Sequence, residues 1–94
     1  MAYTRLTENN EGSPVVSKEY IQEDSSGFRG EAVDRLAKFE DVYDHLLISQ
    51  ENLSQKLEEL QQQGKTQSHQ FKETMGKKLM NSMIISLLES RGLR

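Results

Sequence analysis

Cysteine is absent from the 94 residues, so neither a disulfide framework nor a thiolate metal site can hold the fold together. Tryptophan is absent too; aromatic residues make up 6% of the chain and hydrophobic residues only 34%. A chain this short buries proportionally little surface, and with so few apolar residues it gains little against the entropy of ordering itself. Oligomerisation, or docking on a protein partner, is the usual remedy. No apolar run approaches the roughly 20 residues that span a bilayer. The opening "MAYTRLTENNEG" lacks the basic-then-apolar pattern of a secretory signal. The expectation is a soluble cytoplasmic protein with no membrane contact.

Proline occurs once, as Pro14, in an opening segment that also carries Gly12, Gly27 and Gly30. Residues 1–30 are therefore not part of a long helix. Two strand-like pieces, "AYTRLT" and "PVVSKEYIQ", flank the turn-forming "ENNEGS". They predict a short β-hairpin, or an extended arm that orders on a partner. "EDSSGFRG" then reads as a linker, with Phe28 as a candidate anchor for a partner.

Glycine and proline are missing altogether between residues 31 and 63, and there the apolar residues become periodic. Leu36, Phe39, Tyr43, Leu46, Leu53, Leu57 and Leu60 recur in alternating steps of three and four, with Gln50 filling the one remaining seam position. With Leu36, Tyr43, Gln50 and Leu57 at heptad position a, the others fall at d, the pattern of knobs-into-holes packing. Glu31 and Asp34 suit the positive end of a helix dipole, and Gly64 follows the last periodic residue. A helix over 31–63 would be about 48 Å long, and such a rod needs something along its length. An amide in the seam favours whichever register or oligomer gives it a partner, unless the seam opens to water there. Val33, Val42, Leu47 and Ile48 lie off the seam and widen the expected interface. They would face a second helix while the seam faces another chain.

Residues 64–94 predict a second helix from about Ser68 to Arg91, capped by Gly92 and weakened by Gly76. Its final half carries Leu79, Met80, Met83, Ile84, Leu87 and Leu88, which predict an assembly core or a binding surface. The fold class is thus mainly α. An N-terminal hairpin or arm (1–30), a long amphipathic helix (31–63) and a basic, apolar C-terminal helix (64–94) would form an oligomeric bundle or coiled coil. A monomeric helical hairpin is the alternative.

Charge of either sign is unevenly spread. Residues 31–63 carry eight acidic against three basic side chains, and residues 64–94 carry six basic against two acidic. A basic helix answering an acidic one is the simplest account. Lys65, Lys72, Lys77, Lys78, Arg91 and Arg94 also raise nucleic-acid binding, which is not favoured because no recognition pattern accompanies them and the chain is acidic overall. Glu40, Asp41 and Asp44, exposed on the first helix, are candidate contacts for a protein partner. "GKT" at 64–66 is no phosphate loop: position 59 is Glu where Gly is needed, and a helix precedes it. His45 and His69 are 24 residues apart, without cysteines or carboxylates at ligand spacing. No catalytic, cofactor or metal residues are expected, and no enzymatic activity.

"YTRLTENNEGSPVV" and "GEAVDRLAKFEDVYDHL" together resemble small accessory proteins encoded in phages and prophages of Gram-positive bacteria. Arg5, Leu6 and Thr7 match the short "RLT" opening of that group. Ala32, Val33, Arg35, Leu36, Phe39, Glu40 and Asp41 match its helix start. The turn that commonly follows there is absent, because the helix runs on. The resemblance implies a protein of the bacterial host cytoplasm that occludes the working surface of a larger one, an antiviral nuclease included. A scaffold-like structural or assembly component of the phage is the alternative, and a nucleic-acid accessory factor a second one.

Overall fold

The computed structural model describes residues 3–94 and is mainly helical. Strands β1 (Thr7–Asn10) and β2 (Ser13–Val16) form one hairpin, and a 3₁₀ turn follows at Lys18–Tyr20. Strands β3 (Gln22–Asp24) and β4 (Gly27–Arg29) form a second, and helices α1 (Glu31–Gln62) and α2 (His69–Ser90) complete the chain. The fold divides into two compact units, Met1–Asp41 and Val42–Arg94.

In the first unit β1 pairs antiparallel with β2, Thr7 opposite Val16 and Asn10 opposite Ser13. The hairpin sits later in the sequence than expected, because its turn is only two residues long. Glu11 and Gly12 both take positive φ, 53° and 85°, as in the turns whose twist matches that of paired strands. Asn9 accepts the Gly12 amide at 2.9 Å, so "ENN" joins the strand and not the loop. Of the expected opening strand, "AYTRLT", Ala2 lies outside the described residues, and of the rest only Thr7 is paired. "PVVSKEYIQ" is broken at Ser17 by the 3₁₀ turn.

"EDSSGFRG" is not a linker but most of the second hairpin. Asp24 Oδ1 accepts the Ser26 amide at 2.8 Å and its hydroxyl at 2.7 Å, while Oδ2 pairs with Arg29. Those bonds close the turn and let Glu23 pair with Phe28. Gly30 then leads into α1 at φ 129°, and a Cβ there would collide with the Tyr20 carbonyl. Among the described residues of this unit Leu6 is the buried hydrophobic one, and the Arg35 guanidinium donates to the Thr4 carbonyl, tying that segment to α1.

In the second unit the rest of α1 turns back into α2 through residues 63–68. Gly64 (φ 72°) ends α1, the Lys65 amide donating to the Leu60 carbonyl at 2.8 Å and the Gly64 amide to Gln61 at 3.0 Å. Ser68 starts α2 by accepting the Phe71 amide at 3.1 Å. Gly92 (φ 83°) closes α2 as Gly64 closes α1, with Leu93 bonded back to the Leu88 carbonyl at 2.9 Å. Each helix therefore stops where a residue that tolerates left-handed backbone stands.

Candidate functional site

Tyr43, Leu46, Gln50, Leu53, Leu57 and Leu60 form the buried and half-buried face of α1 in the second unit. Phe71, Thr74, Lys78, Asn81, Ile85 and Leu88 form that of α2, in the same alternating steps of three and four. The two faces meet at hydrogen bonds from Gln50 Nε2 to Ser82 Oγ (2.8 Å) and from Asn81 Nδ2 to Ser49 Oγ (3.2 Å). The α1 seam thus closes on α2 of its own chain. Leu47, Ile48 and Val42, expected to face the second helix, are exposed instead. Leu36, exposed, and Phe39, half-buried, belong to the first unit.

Gln50 has found its partner in a polar layer within the helical pair, although its Oε1 is buried without one. Nothing in the sequence singles out Ser49, Asn81 or Ser82. The signal lies in their register, since the α2 face that meets α1 is only half apolar. Thr74 is buried there with its hydroxyl satisfied by the Gln70 carbonyl at 2.7 Å.

The opposite face of α2 holds most of the apolar residues that the sequence singles out. Leu79, Met80, Met83 and Leu87 leave 58–66% of their surface open, and Ile84 leaves 41%. Leu88, on the inner face, is half-buried. The C-terminal half of α2 is thus neither buried around its circumference nor turned wholly to α1. Gly76, Met80, Met83 and Leu87 succeed one another in steps of four, three and four, so they form a second seam pointing away from the first. A Cβ on Gly76 would meet nothing within 4 Å.

Among the described residues only Leu6, Leu46, Leu57 and Leu60 are buried hydrophobics.

Other candidates are weaker. A cleft of about 230 Å³ in the first unit lies between Tyr3, Leu6, Val16 and Ala32, with Arg5 and Arg35 at its rim. Both guanidiniums are already engaged, Arg5 with the Thr7 carbonyl and hydroxyl at 3.1 Å and Arg35 with the Thr4 carbonyl. The volume is also below the roughly 300 Å³ at which ligand pockets begin. Phe28 is 58% exposed on β4, and Glu40, Asp41 and Asp44 are exposed along α1. His69 is solvated beside Glu73, at 3.6 Å, which Lys77 also approaches at 3.4 Å. Among the described residues no helix is long and apolar enough to cross a membrane, and no group of His, Asp and Glu gathers at metal-binding distance.

Comparison with protein-family models, with curated proteins and with solved structures finds no match. The outer face of α2 is accordingly judged on its own geometry.

Proposed function

We propose that this chain is a non-enzymatic interaction protein whose helical pair serves to present the outer face of α2 to another protein surface. The carrying observation is that face itself: five large apolar side chains in helical register, open in a molecule that has few to spare. Burial of such a strip gains roughly 25 cal/mol per Å², and one helix face laid in a groove is a common recognition mode. His45 and His69 stand exposed on separate helices, which suits solvation better than acid–base work. The test is capture from a bacterial lysate by immobilised wild type and by the Met80→Glu, Met83→Glu double variant. Partners retained by the wild type and lost from the variant are expected; equal capture by both would sink the reading.

A second reading comes from charge. Glu51, Glu58 and Glu59 are exposed on α1, as are Glu40, Asp41 and Asp44. An acidic helix of this kind suits a basic groove, which would make the protein an inhibitor of a nuclease or of an antiviral complex in a phage-infected host. Inhibition lost on reversing Glu58 and Glu59 to Lys, and weakened by salt, would favour it.

A further inference from the structure

The outer face of α2 is complementary to itself, and we infer that its first occupant is α2 of a second copy, packed antiparallel. This inference rests on the interaction reading and names one partner for the same face. The seam Gly76, Met80, Met83, Leu87 is symmetric about its midpoint. Reversed against itself, it sets Gly76 opposite the partner's Leu87 and Met80 opposite the partner's Met83. The two inner layers join methionine to methionine, and the two outer ones seat a leucine where glycine leaves room. That is the a-against-d layering an antiparallel coiled coil requires. Gly76 weakens α2 by about 1 kcal/mol relative to Ala, and no contact within the chain needs the space it leaves. An approaching helix would use it.

Charge at the C-terminal end of the seam favours this direction. Glu73, near the start of α2, and Arg91, which caps its end, are spaced by about five helical turns and so fall on the same side of the seam. Antiparallel pairing brings Glu73 beside the partner's Arg91, and the two-fold axis repeats the contact at the other end. Parallel pairing would instead bring opposite edges of the seam together, Glu73 near the partner's Lys72 and Arg91 near the partner's Ser90, leaving Arg91 without a carboxylate. Glu73 already lies near His69 and Lys77 on its own helix, an exposed carboxylate among cations that a further guanidinium can join.

Area is sufficient. Taking about 200 Å² for a fully exposed side chain of this size, Leu79, Met80, Met83, Ile84 and Leu87 open on the order of 600 Å² per copy, so a two-fold pair buries about 1,200 Å², the lower edge of stable interfaces. Each α2 would then have its mixed face on its own α1 and its apolar face on the other copy. The product is a row of four helices with the two α2 helices at its centre.

Sedimentation equilibrium on the full chain tests this. The wild type is expected at twice the 10.8 kDa chain mass near 50 µM. Met83→Glu is expected at the single mass with unchanged helical circular dichroism, because Met83 touches little in the isolated chain. Glu73→Arg and Arg91→Glu should each weaken the dimer roughly tenfold, and the two together should restore it. A wild type of single mass up to a few hundred micromolar overturns the inference, as does a dimeric Met83→Glu. Failure of the double charge reversal to restore association overturns the antiparallel pairing. A monomeric wild type that still loses lysate partners on Met80→Glu, Met83→Glu overturns the second copy while leaving the interaction reading standing.

Discussion

Gln50 shows how a single polar residue can be read from sequence only up to its position. The heptad steps place it in the seam, and a seam amide needs a partner; that the partner is Ser82 depends on a register the sequence does not spell out. One half of the amide remains unsatisfied, since Oε1 is buried without a donor. Replacing Gln50 with Leu should therefore raise stability by about 1 kcal/mol in urea unfolding, because an orphaned acceptor costs that much or more and Ser82 can turn to its own helix backbone. The same variant should loosen the register of α1 on α2, visible as faster amide exchange around Leu46 and Leu53. No gain in stability and unchanged exchange would mean the layer specifies nothing. Gly30 is the opposite case, a residue whose identity is dictated by local backbone. With φ at 129° and the Tyr20 carbonyl where a Cβ would stand, Gly30→Ala should destabilise the first unit by about 2 kcal/mol or more. Its amide resonances should broaden or disperse less, while those of α2 stay put.

Among the elements, the second hairpin depends on one carboxylate. Asp24 is held below the usual carboxylate range by the Ser26 hydroxyl and amide, with Arg29 adding to the effect. A folded value lowered in this way stabilises the turn above the ordinary Asp range and loses that stabilisation as pH falls through the lower folded value. Acidification below about pH 4 should accordingly unpair Glu23 from Phe28 before it disturbs α1, followed through the Ser26 and Gly27 amide shifts. Asp24→Asn should abolish that pH response, and an unaltered titration in the variant would show the carboxylate to be incidental. The hairpin was not legible in "EDSSGFRG" because its strands are only three residues each and have no apolar alternation; the turn chemistry alone makes it. The helices were far easier to read. Gly64, Ser68 and Gly92 mark their ends by backbone chemistry that needs no tertiary information. Which face of α2 meets α1 was not readable, for a physical reason. Thr74, Lys78 and Asn81 dilute the inner face, so hydrophobicity alone points to the outer one.

At the scale of the whole molecule, a chain of 94 residues whose described part buries only four hydrophobic side chains is short of the burial that ordinarily offsets chain entropy. Part of that deficit disappears if a second copy covers the outer face of α2, and the consequence is thermodynamic as well as structural. Folding and association are then linked, so stability must depend on protein concentration. With an unfolding enthalpy near 0.7 kcal/mol per residue over two copies, each tenfold rise in concentration should raise Tm by about 4 °C. Melts followed by circular dichroism from about 5 to 500 µM would show a total rise near 8 °C in the wild type. Met83→Glu, unable to pair, should melt lower and at one temperature throughout. A wild-type Tm independent of concentration would place the missing burial elsewhere, on a partner of different sequence, and the same outer face would then have to be saturated by that partner before the chain reached its full stability.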